Sequence, residues 1–160
     1  IFIAGGTDKT IKVKQNTFFK CTAYEGGGMY FHKSSTNVES CLFDKCTAMG
    51  SGGGLATFES KQLLSQCSFS SCSAGKNGGG AILQVSNSKL DAVHFKTCMS
   101  KYSGGGLAIM ASSPEVKNCR FEMCKSMKTG GGLFVDPKSK PQMSFPSFSK
   151  CKPDDTNYKG

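Results

Sequence analysis

Apolar residues in this chain recur in short alternating runs, not at helical spacing, and the runs themselves repeat. Each Gly-Gly-Gly triplet is followed by a pair of mostly apolar residues one position apart: Met29 and Phe31, Leu55 and Thr57, Ala81 and Leu83, Leu107 and Ile109, Leu133 and Val135. A second apolar set is Val13, Val38, Leu64, Leu90, Val116 and Met143, and a third is Phe18, Phe43, Phe69, Phe95, Phe121 and Phe148. Between them fall Lys14, Glu39, Ser65, Asp91, Lys117 and Ser144, and then Thr17, Leu42, Ser68, His94, Arg120 and Ser147. Alternation with period two predicts short strands with one face inward and one in water.

The triplets begin at Gly26, Gly52, Gly78, Gly104 and Gly130, so every interval is 26 residues. A Phe-x-x-Cys motif recurs at intervals of 25 to 27 residues, pairing Phe18 with Cys21, Phe43 with Cys46, Phe69 with Cys72, Phe95 with Cys98, Phe121 with Cys124 and Phe148 with Cys151. Two residues before the Phe stand Cys41, Cys67, Val93 and Cys119, and two after the Cys stand the small residues Ala23, Ala48, Ala74, Ser100 and Ser126. Strands this short cannot bury an apolar face singly, but stacked coil on coil they share one core. Leucine-rich repeats need a leucine lattice that is missing here, and helical repeats are excluded by the triplets, each glycine costing up to ~1 kcal/mol inside a helix.

The expected fold is therefore all-β: a right-handed parallel β-helix of about six coils, rising ~4.8 Å per coil, with internal ladders of Phe and Cys. The triplet is expected at a corner that needs positive φ or close approach of coils, and the Ala/Ser column at a second crowded corner. The spacing from Phe2 to Phe18 exceeds that of later coils by about three residues, which suggests an insertion loop at Gly5 to Thr10. Residues 1–160 read as one solenoid segment, expected to belong to a longer one, because open ends expose unpaired strand edges.

With Cys-x-Phe-x-x-Cys-x-Ala and Gly-Gly-Gly in phase, the chain resembles the polymorphic outer membrane protein repeats of chlamydial autotransporters and similar repeat proteins of protists. Their glycine tetrapeptide is matched by Gly79-Gly80-Ala81-Ile82, and more loosely by Gly27 to Tyr30, Gly53 to Ala56, Gly105 to Ala108 and Gly131 to Phe134. Their F-x-x-N motif has Cys for Asn in all six copies here, which is closer to the cysteine-rich protist variants. The resemblance implies an extracellular or surface-exposed ectodomain, often adhesive, without catalytic residues.

A net charge of +9 raises the question of nucleic acid, but nineteen of the twenty cations are lysine and only Arg120 offers a bidentate fork. Scattered lysines suit a soluble exterior, and no nucleic-acid partner is expected. Nor does any run reach the ~18 apolar residues that would insert into a membrane. The nine cysteines could form in-register disulfides or serve as small buried hydrophobes, the reading we favour; the odd count forbids complete pairing. Cys41, Cys46, Cys67 and Cys72 lack a C-x2-C chelate, so no metal or cofactor is expected.

An enzyme on this scaffold would need acids clustered on one outer face. Glu39 and Asp91 share an outward column but lie two coils apart, ~9.6 Å, with Ser65 between them and lysines beside them. His32 and His94 fall in different columns with no acid in phase. We therefore expect a non-enzymatic adhesive or structural surface module whose partners are surface proteins, with a filament component and a polysaccharide-binding or polysaccharide-degrading β-helix as alternatives. One outward column, Phe2, Tyr30, Ala56, Ile82, Ala108 and Phe134, is apolar and is expected to be exposed. Phe2, Tyr30, Ile82 and Phe134 are the candidate protein-interaction stripe, unless a flanking segment covers them.

Overall fold

The computed structural model describes residues 1–5 and 11–153. Successive coils contribute one short strand each to four parallel sheets, three of six strands and one of five. The first sheet holds Phe2–Ala4, Met29–His32, Leu55–Phe58, Ala81–Gln84, Leu107–Met110 and Leu133–Val135; the second holds Ile11–Lys14, Ser35–Glu39, Lys61–Ser65, Lys89–Asp91, Glu115–Lys117 and Gln142–Ser144. The third comprises Thr17–Phe19, Leu42–Asp44, Ser68–Ser70, His94–Lys96, Arg120–Glu122 and Ser147–Ser149, and a five-stranded fourth comprises Thr22–Ala23, Thr47–Ala48, Ser73–Ala74, Met99–Ser100 and Lys125–Ser126. Register follows the repeat, as in Phe43↔Phe69↔Phe95↔Phe121. The suggested insertion at Gly5 to Thr10 falls mostly on residues 6–10, outside the described residues.

The core runs the length of the rod. Phe43, Phe69, Phe95 and Phe121 are fully buried, and the six ladder rings stack with centroids 4.6–5.1 Å apart. Offset stacking adds to what burial of each ring already contributes. Leu55, Leu83, Leu107 and Ile109 of the first sheet and Val38, Leu64, Leu90 and Val116 of the second fill the remaining cross-section.

Each glycine of a triplet answers a different demand. The first takes positive φ, +56° to +68° in the five triplets, and a Cβ there would strike the carbonyl three residues on, 2.2 Å away for Gly78 and Ala81 O. At the second, a Cβ on Gly79 would lie 2.2 Å from Gly105 O in the next coil. At the third, a Cβ on Gly80 would lie 2.6 Å from the Phe95 ring, so the space the ladder occupies is the space this glycine vacates.

The expected second crowded corner is corrected: Ala23, Ala48, Ala74, Ser100 and Ser126 are residues of the fourth sheet's strands. Apart from the glycine corner, the corners are made by non-glycine residues with positive φ, sixteen among the described residues. All nine cysteines directly follow such a residue: Cys41 follows Ser40, Cys46 follows Lys45, Cys67 follows Gln66, and so on. A left-handed residue reverses the chain and turns the side chain after it back toward the preceding carbonyl, which also accepts from the neighbouring coil, as Ser65 O does from Ser40 N at 3.0 Å. The next side chain can reach back to it, as Cys67 Sγ does to Ser65 O at 3.4 Å and Asn16 Nδ2 does to Lys14 O at 2.7 Å. The ladder sulfurs also donate to the coil before, with Cys46 Sγ 3.2 Å from Phe18 O and Cys72 Sγ 3.3 Å from Phe43 O. Eight of the nine cysteines are thus buried, as favoured, with Cys21 half-buried, but they also act as weak hydrogen-bond donors.

Serine does the same at the corner between the first and second sheets. Ser60 Oγ donates to Phe58 O (2.8 Å) and accepts from Ser34 N (3.1 Å); Ser86 Oγ donates to Gln84 O (3.0 Å) and accepts from Ser60 N (3.2 Å). Beside this ladder, buried Gln62 donates through Nε2 to Ser34 O and accepts from the Ser88 hydroxyl. Buried polar groups persist when satisfied in this way. Val85 is the misfit among these corner residues, since a β-branched side chain at φ 52° is strained. Because Val85 is half exposed, Val85→Asn is expected to raise stability by about 1 kcal/mol, read as the midpoint of urea unfolding.

Candidate functional site

The first sheet's outer column was expected to be an exposed stripe, and the structure corrects this at its centre. Phe2 is exposed and stacks on half-buried Tyr30, centroids 5.5 Å apart, and Phe134 is half-buried, but Ala56, Ile82 and Ala108 are buried. The glycine corner covers them: a Cβ on Gly52 would lie 2.9 Å from Ala56 Cβ, and one on Gly78 would lie 3.1 Å from Ile82 Cβ. Backbone without side chains lies down against the column and seals a second small apolar cluster, with Tyr30, Met110 and Phe134 at its border. A cleft of about 200 Å³ remains between Glu25, Tyr30, Phe58, Ile82 and Gln84. Burial, together with the charges of Glu25 and Glu59, raises the Tyr30 hydroxyl above its usual pKa, so it stays a neutral donor.

Glu39, Ser65 and Asp91 stand in register as expected. Each acid already has a partner: Lys14 Nζ lies 2.5 Å from Glu39 Oε2, and Asn118 Nδ2 donates to Asp91 Oδ1 at 3.0 Å. Glu115 lies between Lys89 and Lys117, which hold its carboxyl below the usual range, the hydrogen bond from Lys89 most of all. His32 and His94 do lie in different sheets, but His94 has an acid near it after all. Its Nε2 is 3.4 Å from Glu122 Oε2, and Glu122 also faces Lys96 Nζ at 3.6 Å. That acid lies one coil on and two residues along, diagonal to the column, where in-phase counting does not look.

No disulfide joins the cysteines in this structure, and among the described residues no three of His, Cys, Asp and Glu converge as metal ligands. Burial pushes the thiols of Cys67 and Cys119 up to about 11 from an ordinary 9.0. Contact with the Cys72 sulfur and burial hold Cys46 above the usual range, and burial does so for Cys98. Above pH 9 the unfolded chain ionises at these positions while the folded chain does not. Stability that is complete below pH 9 is therefore lost as pH rises to about 11, on the order of 2–3 kcal/mol for each of Cys67 and Cys119. Urea unfolding at a series of pH values should show the midpoint falling over that window, and Cys67→Ala should flatten the fall.

A surface the column reading missed lies outside the fourth sheet. Met49, Met99 and Met127 are all more than half exposed and line a groove of about 590 Å³ floored by Ala48, Ala74 and Gly75. Met99 shares its column with Thr47, Ser73 and Lys125, and Met49 shares its own with Tyr24, Gly75, Lys101 and Met127. No single column is apolar, so only a two-dimensional projection of adjacent columns would have found the patch.

No curated protein and no solved structure matches this chain. No helix among the described residues is long and apolar enough to cross a membrane, which says nothing of a β-barrel. The repeat's register, the unbroken Phe ladder and four parallel sheets in each turn are what a β-helix requires, and the family model for the right handed beta helix region matches residues 1–159; the chain belongs to that family.

Proposed function

We propose that this β-helix is a non-enzymatic binding module: a rigid rod that presents its outer faces to protein partners at a cell surface or in an extracellular assembly. The observation that carries the reading is the exposed methionine face, since three solvent-facing methionines clustered in one groove of a lysine-rich exterior mark a contact surface. Backbone register holds side chains on such a face at fixed spacing, so a partner meets a preformed surface and little ordering cost arises on the rod's side. The likeness to autotransporter-type repeats supports the surface location. The exposed end of the first-sheet column, Phe2 with Tyr30, is a second place where a partner could sit.

Lysine-directed cross-linking of the folded chain, displayed on a cell surface and offered to neighbouring cells, tests this. Protein adducts are expected that map to one side of the rod, with no product released from pectin or other polysaccharides. Release of oligosaccharides that stops in Glu39→Gln or Asp91→Asn would overturn the reading in favour of a polysaccharide-acting β-helix.

A further inference from the structure

We propose that the groove outside the fourth sheet takes an acidic amphipathic helix of a partner protein, an inference that rests on reading the rod as a protein-binding module. Two independent features describe the occupant. The first is shape and softness. The groove is concave, about 590 Å³, and its prominent walls are Met49, Met99 and Met127, unbranched and polarisable side chains that adapt to whatever apolar residue enters. Met49 and Met127 stand three coils apart, roughly 14 Å, which a helix rising 1.5 Å per residue crosses in about ten residues. Leucines at i, i+3, i+7 and i+10 of one helix face span about 15 Å and would therefore reach both ends of the groove.

The second feature is charge. Lys76, Lys101, Lys125 and Lys128 stand on the strands and turns that form this face, against a single acid, Glu25, whose carboxylate is occupied in accepting from Ser51 N at 2.6 Å. Elsewhere five lysines, Lys14, Lys33, Lys89, Lys96 and Lys117, sit in ion pairs with glutamates. Among the described residues, none of the four lysines around the methionines does. Lys128 is held instead over the Tyr102 ring, 4.5 Å from its centroid, at the groove's edge. An apolar trough between uncompensated cations is complementary to a helix with one leucine face and glutamates along its sides. An anionic bilayer shares that charge, but a flat surface cannot reach the Ala48–Ala74–Gly75 floor.

The test labels methionine methyl groups with carbon-13 in the whole chain and titrates a synthetic helix carrying leucine on one face and glutamate on the other. Binding should move the methyl signals of Met49, Met99 and Met127 and leave that of the buried Met29 in place. Replacing Lys76, Lys101, Lys125 and Lys128 together by Gln should weaken binding about tenfold or more, the combined effect of four exposed charge contacts. Met49→Ser with Met127→Ser should weaken it comparably, with circular dichroism showing the fold intact. The proposal is overturned if a lysine-for-glutamate version of the helix binds as well, or if no methionine methyl moves. It is also overturned if phosphatidylserine vesicles move these methyls and the peptide does not. Cross-links that map to the Phe2–Tyr30 end while the methionines stay silent would end this inference and leave the binding-module reading standing.

Discussion

Phe95→Ala is expected to destabilise the rod by about 3–5 kcal/mol, the range for deleting a fully buried aromatic side chain from a close-packed interior. Phe95 is stacked on both sides, 4.9 Å from Phe69 and 5.1 Å from Phe121, so the substitution removes its own burial and one face of contact from each neighbour. Refilling the void would require a coil to collapse inward, and the parallel ladders above and below hold it at fixed spacing. Phe148→Ala provides the comparison. Among the described residues that ring stacks on Phe121 alone, and it is about a third exposed (36%), so its loss should be less than half as large. Stability in a solenoid is a sum over coils and their interfaces. The central substitution should therefore also lower the urea m-value as the two halves begin to unfold separately. Urea titrations followed by circular dichroism measure both; a loss under about 1 kcal/mol at Phe95 would be incompatible with a closed aromatic ladder.

Gly79→Ala is expected to be comparably severe, for a different reason. The new methyl would lie 2.2 Å from Gly105 O and 2.4 Å from Met99 O, both backbone atoms with no rotamer to escape into. The coils would have to separate where they hydrogen-bond, a cost above about 3 kcal/mol, at the upper end for overpacked sites. Soluble yield and thermal midpoint should both fall. Gly5→Ala separates this effect from backbone preference. Gly5 has φ +73° but nothing within 4 Å of its Cβ position, so only the left-handed penalty applies, about 1–2 kcal/mol. Equal effects at the two sites would mean that conformation, not contact between coils, explains the triplet. The sixteen non-glycine residues with positive φ already argue for contact, because this chain places Lys, Gln and Thr in such conformations without resort to glycine.

The same corners explain a feature that spacing alone left unaccounted for. Cysteine recurs at one corner position in every Phe-x-x-Cys motif, and the geometry shows what the position requires: a short side chain able to reach the carbonyl two residues back, across a left-handed residue. Asn16 meets this requirement with an amide, Ser60 and Ser86 with hydroxyls, and Cys46, Cys67 and Cys72 with sulfur. Sulfur is the weakest donor of the three but the most apolar, which suits the two corners that face the Phe ladder.

What the order of residues by itself determined is everything that repeats along the axis. Equivalent positions in successive coils must stack, so a period of 26, a Phe in each turn and the alternation around it were enough to specify parallel sheets, inward columns and the aromatic and sulfur ladders. What only the tertiary structure decided lies across the axis, between columns. Burial of Ile82 depends on how far the glycine corner folds over the first sheet. The approach of Glu122 to His94 runs diagonally between coils, the methionine groove joins columns that are each only partly apolar, and the buried polar set around Gln62 faces inward at a corner where hydroxyl ladders satisfy it. Stacking distance is dictated by backbone hydrogen bonding and is the same for every coil. The angle at which one sheet turns into the next is set by left-handed residues of ordinary type, whose side chains carry no mark of the conformation they adopt.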